Sequence, residues 1–260
     1  MRVGSVLRRW AWLVPVCLAA PARADLPDEI QVYTDDIDAP AQFHLELHVN
    51  TTPSGRSEAD YPGEITPEHG LRLTPEFSYG LTRDLEAGLY LPAERASGGS
   101  LYVAGARARL KWLPVHAPQG GGAFAGLNVE VGWVAERFER DRRTMEVRPM
   151  LGWHGAKWLV ALNPVLDLAL AGPDRNQPPE FAPSIKVARN VIDWAAVGVE
   201  YYTDLGHVTE IAPSAQQMRA LYLAIDVDRP PWVFNFGIGR GFGEASDAWT
   251  VKAIFEIPID

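Results

Sequence analysis

The chain has 260 residues, with 24 Lys and Arg against 33 Asp and Glu and a formal net charge of −9. That acidity argues against a nucleic-acid partner, because binding to phosphates needs a basic surface. Beyond the first 24 residues no stretch approaches the roughly 18 apolar residues of a membrane helix, and a single cysteine, Cys17, excludes a disulfide framework or a cysteine metal site. Mean hydropathy close to zero then leaves two classes, a soluble β-protein or a β-barrel with a polar interior.

The first residues read as an export address. Arg2, Arg8 and Arg9 form a basic region, Trp10 to Ala20 an apolar one, and Ala22-Arg23-Ala24 a small-x-small cleavage signal, so the mature chain is expected to begin at Asp25. The apolar run is too short for a spanning helix and is interrupted by Pro15 and Pro21. The Arg8-Arg9 pair resembles a twin-arginine signal, but a barrel precursor must stay unfolded until insertion, which favours the general secretory route. Val16 is too large for a lipoprotein cleavage box before Cys17. Cleavage near Ala24 removes four arginines and no acid, leaving a mature charge of roughly −13. Residues 25–40 read as a periplasmic N-terminal segment, and residues 41–260 as one β-barrel domain.

The first strand sets the pattern. In Gln42 to Asn50, Phe43, Leu45, Leu47 and Val49 share one face, while His44, Glu46 and His48 share the other. Turn signals divide the mature chain into about twelve strand candidates, near 41–50, 70–79, 85–92, 100–113, 123–134, 144–154, 157–169, 180–189, 194–203, 219–228, 232–242 and 247–259. Most repeat the alternation, such as Leu127, Val129, Val131 and Trp133 against Asn128, Glu130 and Gly132. Connections after even-numbered strands are mostly tight, and those after odd-numbered strands are longer, led by Thr51 to His69 and Leu205 to Met218. Pro114 to Gly122 and Gly243 to Ser246 are the exceptions. Short turns on one side and long loops on the other are the asymmetry of an outer-membrane barrel whose N-terminus starts in the periplasm.

Seven tryptophans, Trp112, Trp133, Trp153, Trp158, Trp194, Trp232 and Trp249, fall near strand ends, as in an aromatic girdle at the headgroup level. Pro75, Pro149, Pro164 and Pro183 lie inside strands on the apolar face, where a missing N–H weakens the ladder, and they predict bulges or local loss of pairing. The fold class expected is therefore all-β, a single antiparallel transmembrane barrel of about twelve strands.

The stretch Gly80-Leu81-Thr82-Arg83-Asp84-Leu85-Glu86-Ala87-Gly88-Leu89-Tyr90 resembles the tight periplasmic turn and rising strand of the Gram-negative outer-membrane β-barrel family. It is similar in particular to the loose group that holds barrel proteins of phenol-degradation operons and many transporters of unassigned solute. Asn163-Pro164-Val165-Leu166-Asp167 and Phe181-Ala182-Pro183-Ser184-Ile185-Lys186 extend the resemblance more weakly. It implies an outer-membrane location, contact with outer-membrane lipid, and handling by the barrel-assembly machinery during biogenesis; it carries no catalytic residue. Such chains often end on an aromatic residue, whereas this one has Phe255 and then ends Ile259-Asp260.

Charges gather on the face opposite the apolar stripe. Arg72, Glu76, Glu86, Arg107, Arg109, Lys111, Glu130, Arg148, Lys186 and Glu200 are predicted to line the lumen, since each Arg or Lys turned to lipid near the midplane would cost about 2 to 4 kcal/mol. This placement allows either a salt-bridge network bracing the wall, or a solute path whose selectivity the charges set. Arg107, Arg109 and Lys111 form the one sustained basic track and the expected contact for an anionic solute. His44, Glu46 and His48 are weak metal candidates. Alternate strand residues lie about 6.6 to 6.8 Å apart, so His44 with Glu46, or Glu46 with His48, can share an ion, whereas His44 and His48, about 13 Å apart, do so less easily.

An outer-membrane hydrolase would need a serine and histidine together at the rim. Ser78 and Ser184 have no histidine at a suggestive position, and Gly237-Ile238-Gly239-Arg240-Gly241 lacks the helix that phosphate cradling requires, so those glycines read as relief of crowding inside the barrel. No enzyme activity and no cofactor is expected. The function expected is a passive channel or transporter for small solutes. The alternatives are a non-conducting structural or binding barrel plugged by its own salt bridges, an outer-membrane hydrolase, and a soluble periplasmic β-protein. The loop Thr51 to His69 is expected either to fold inward or to face outside.

Overall fold

A strand with one apolar and one charged face needs two unlike environments, and a sheet closed on itself supplies both without leaving an edge. The computed structural model describes residues 29–257, and within them the chain forms such a closed sheet. Its strands are β1 (Phe43–Ser54), β2 (Leu71–Thr82), β3 (Leu85–Tyr90), β4 (Ala93–Arg95), β5 (Leu101–Val103), β6 (Gly105–Val115), β7 (Gly122–Val134), β8 (Arg143–His154) and β9 (Trp158–Asn163). Beyond them lie β10 (Leu166–Ala171), β11 (Glu180–Phe181), β12 (Ser184–Ile192), β13 (Ala195–Asp204), β14 (Gly206–His207), β15 (Glu210–Ile211), β16 (Met218–Arg229), β17 (Trp232–Gly241) and β18 (Trp249–Glu256). Joined end to end where a stave is interrupted, they make the twelve antiparallel staves that the alternation predicts. β1 closes the barrel by pairing with β2 on one side and β18 on the other. The expected signal peptide, residues 1–24, and the terminal Ile259-Asp260 lie outside the described residues.

Prolines account for three of the interruptions. Pro92 separates β3 from β4, Pro164 separates β9 from β10, and Pro183 separates β11 from β12. They are grouped across the sheet. Pro149 lies beside Pro164, between the flanking pairs Val147 with Leu166 and Leu151 with Leu162. Pro75 accepts at its carbonyl from Leu91 N, next to Pro92. A proline donates nothing to the ladder, so stacking these prolines of neighbouring staves gathers their lost hydrogen bonds into two places in the wall.

The outer face is apolar and the inner face is not. All seven tryptophans among the described residues are exposed on the outside, five of them (Trp112, Trp153, Trp158, Trp194, Trp232) at the short-turn rim and two (Trp133, Trp249) at the long-loop rim. The buried set is instead rich in polar and charged groups, including Arg72, Glu76, Arg109, Glu200 and Lys252. Gly237 and Gly239 stand on the inner face of β17, where a Cβ would come within 3.0 Å of Lys252 and 2.4 Å of the Tyr222 ring, so they do relieve crowding.

One feature departs from the sequence reading. Residues 29–38, part of the 25–40 stretch expected as a periplasmic segment, run inside the barrel instead. Ile30, Val32 and Tyr33 are buried there, with Tyr33 packing on Leu113 and Met150 and Val32 on Phe124 and Ala161. Burying three large apolar side chains removes them from water, which a free periplasmic segment cannot do. The loop that reaches the interior is 135–142, through Phe138 and Glu139, while the longer 55–70 loop lays Ile65 against Ala104, Val134 and Phe138.

Leu223 lies midway along β16 and is 69% exposed on the outer face. If that face meets hydrocarbon, Leu223→Arg should lower refolding stability in lipid vesicles by about 2 to 4 kcal/mol in a urea titration. A change within about 0.5 kcal/mol, normal for a water-exposed surface site, would contradict the assignment.

Candidate functional site

The lumen is the site, and its first occupant is the chain itself. Residues 29–38 add no strand to the wall, so their backbone groups need other partners. Lumenal side chains provide them. Lys252 Nζ donates to Ile30 O at 2.9 Å, and Arg148 Nη1 donates to Gln31 O at 3.0 Å. Asn163 serves Tyr33 twice, accepting from its N–H at 2.7 Å and donating to its carbonyl at 3.0 Å. Asp38 N donates to Glu86 Oε2 at 2.6 Å. The segment then leaves through a close approach at Gly80, where a Cβ would stand 2.1 Å from Ala39 O. Ala41 N donates to Gly80 O and Gly80 N to Gln42 O at that point.

Tyr33 is the best-held residue of the segment. Its hydroxyl lies 2.5 Å from that of Tyr90, and its ring is faced by Arg148 at 4.3 Å, Lys111 at 5.1 Å and Arg109 at 5.9 Å. Cations over a desolvated ring face are attracted by its quadrupole. Burial pushes the Tyr33 phenol well above its ordinary range, so it remains a neutral hydrogen-bonding group among these charges. Asp38 behaves oppositely. Burial alone would raise its pKa, but hydrogen bonds from His44 and Ser78 hold it below the usual carboxylate range.

The predicted lumenal residues all face inward, and ion pairs tie nine of the ten into the network. Arg109 lies between Glu76 and Glu86, donating from Nε to Glu76 Oε1 at 2.8 Å and approaching Glu86 within 2.6 Å. A Cβ on Gly88 would meet its side chain at 2.7 Å. Arg107 bonds Glu130 at 3.3 Å and also Glu139 from the inward loop. Arg72 reaches Glu94 at 3.3 Å, and Arg148 takes Glu146 bidentately at 2.6 and 2.8 Å. Glu200 is shared by Lys252, by Lys186 at 3.4 Å and by the Tyr202 hydroxyl at 2.6 Å, while Lys186 also bonds Asp226 at 2.8 Å. Arg107 and Arg109 are thus each held by two carboxylates, and Lys111 faces Tyr33.

Sequence reasoning missed Tyr33, Asn163, Glu94 and Glu139 as parts of this site. The apolar cluster Ile30, Val32 and Tyr33 ahead of the first strand was the available signal that this segment is buried. Asn163, at the end of a strand and ahead of Pro164, carried no signal separating a plug anchor from a turn residue.

A cavity of about 530 Å³ lies below the segment, lined by Asp38, His44, Glu46, Glu76, Lys186, Asp193, Asp228 and Glu256 among others. Its lining residues Asp193 and Trp194 form the turn between β12 and β13, and Asn190 lies near the β12 end of that turn, which places the cavity at the short-turn end. His44 pairs there with Asp38 at 2.9 Å and Glu256 at 3.3 Å rather than with Glu46. His48 instead approaches Glu76 at 3.0 Å and Glu46 at 3.7 Å. Ser78 donates to Asp38 at 2.5 Å, so a carboxylate stands between serine and histidine. Nucleophile activation needs the histidine in that middle position.

The solved structure of an outer membrane channel from Pseudomonas putida F1 matches 88% of this chain and 100% of its own, with a TM-score of 0.56 and 12% identity. The KdgM porin matches 84% of this chain and 99% of its own, with a TM-score of 0.51 and 8% identity. At such identities the likeness shows the fold, which is that of outer-membrane β-barrels. No known protein-family profile matches the sequence, and no curated protein sequence matches it.

Replacing Glu200 by leucine would leave Lys252, which is 1% exposed, and Lys186 beside each other without their shared carboxylate. Glu200→Leu should therefore cost about 3 to 5 kcal/mol, the usual cost of stranding a buried charge. Urea-dependent refolding in detergent measures it, and a loss below about 1 kcal/mol would show that the network does not brace the wall.

Proposed function

We propose that this chain is an outer-membrane channel for small solutes that its own N-terminal segment keeps shut. The observation that carries the reading is the threading of residues 29–38 into the lumen, held by hydrogen bonds from Lys252, Arg148 and Asn163. A barrel needing only a filled interior can fill it with side chains from its wall. Here a separate strip of chain does so, tied to the wall by side-chain hydrogen bonds. The fold shared with a channel and a porin supports the reading, as does the solvent-sized vestibule at the short-turn end.

The outer-membrane location rests on the outward apolar face, the rims of tryptophan and the inward charges. Within that class, kinship with the barrels of phenol-degradation operons and related transporters is the reading that the Gly80 to Tyr90 stretch favours. The Ser78–Asp38–His44 order supports a function other than hydrolysis.

The second reading is a non-conducting barrel, favoured by Arg109 between Glu76 and Glu86 and by Lys252 between Glu200 and Ile30. Planar-bilayer recording separates the two. The intact mature chain should give small or rare openings, and a variant lacking residues 29–38 should give steady, larger steps. Silence from both would leave the non-conducting barrel standing.

A further inference from the structure

The wall carries a row of three carboxylates on adjoining strands. β1 pairs with β2 and β18 so that Glu46 lies directly opposite Glu76 on one side and Glu256 on the other. Like charges directly opposite each other destabilise a sheet, and burial strengthens the repulsion. Arg109 answers Glu76, though it is shared with Glu86, and His44 answers Glu256 at 3.3 Å. For Glu46, among the described residues, the only pairing partner is the His48 ring, whose Nε2 stands 3.7 Å from Oε2. The same Nε2 stands 3.0 Å from Glu76 Oε2. One imidazole nitrogen is thus aimed at two carboxylates at once, with all the ligand atoms within 4.8 Å of one another.

We propose that Glu46, His48 and Glu76 form a binding site for one divalent transition-metal ion of the zinc type. Zinc accepts imidazole nitrogen and carboxylate oxygen at about 2.0 to 2.2 Å, so its donors stand roughly 3.3 Å apart in a tetrahedral site. Small side-chain rotations bring this set to that spacing. A mixed nitrogen and oxygen set suits zinc better than calcium or magnesium, which take oxygen alone. The ion would replace the His48–Glu76 hydrogen bond and leave Arg109 on the other oxygen of Glu76, where it orients the ligand without touching the metal. Glu46 and Glu76 both line the 530 Å³ cavity, which gives the ion a route from the short-turn mouth and leaves a coordination position open to water or solute.

The test uses the full mature barrel without a histidine tag, stripped with chelator and titrated with zinc chloride by calorimetry, with bound metal counted after dialysis. About one ion per chain should bind. His48→Gln and Glu46→Gln should each weaken binding by more than the ~10- to 100-fold that loss of a ligand-orienting neighbour costs, whereas His207→Gln, outside the cluster, should bind as the parent does. Glu46→Gln leaves the Arg109–Glu76 and His48–Glu76 contacts in place, so it decides the matter if His48→Gln fails to fold. No stoichiometric zinc on the parent barrel, or unchanged affinity in Glu46→Gln, would overturn the site. Neither result depends on whether the barrel conducts.

Discussion

Charge burial governs this structure. A closed sheet with an apolar outside turns most of the lysines, arginines and carboxylates of its mid-strand positions inward, where water is scarce and an unpaired charge costs several kcal/mol, and leaves Arg189, Arg229 and Arg240 at the rims against outward tryptophans. The lumen meets that constraint by pairing. Lys252, among the most buried side chains of the chain, has a carboxylate, a phenol and a backbone carbonyl around it. Removing any one member leaves its partner stranded, so the network behaves as a unit.

That constraint explains why the N-terminal segment can enter. An extended strip outside any ladder has free carbonyls, and the lumenal cations need acceptors beyond the carboxylates of the wall. Lys252 takes Ile30 O and Arg148 takes Gln31 O, so wall and segment satisfy each other. The apolar side chains of the segment reinforce this, since Val32 and Tyr33 sit on the few inward apolar groups of the wall, including Phe124, Leu113 and Met150. Plug and wall are therefore one polar network, and a change that frees the segment must also leave cations to be rehydrated.

The barrel was legible because its signal repeats. Period-two alternation and the order of short and long connections recur over some two hundred residues, and an error at one strand is corrected by its neighbours. The prolines were legible too, since a missing N–H has one consequence wherever it falls, and Pro164 and Pro183 sit at the breaks they predicted. The inward faces of Arg109, Lys186 and Glu200 followed from the same alternation. Which charges meet did not, because partners such as Arg107 and Glu139 belong to a strand and a loop 32 residues apart. The path of residues 29–40 was hidden for a further reason. Ile30-Gln31-Val32-Tyr33 has no ladder partner to set its register, and only the closed wall shows what it packs against. For Glu46 and His48 the sequence showed a shared face, and the pairing with β2 added Glu76.

The central claim is that residues 29–38 occupy the interior of the folded barrel. The only cysteine of the chain is Cys17, so a chain beginning at Asp25 accepts single reporter cysteines. Val32, 3% exposed, can be compared with Ser57 on an exposed loop. In the folded barrel, Val32→Cys should resist a bulky water-soluble maleimide until the protein is unfolded, while Ser57→Cys reacts at once. Equal reaction at both positions in the folded protein would place the segment outside the lumen and contradict the account.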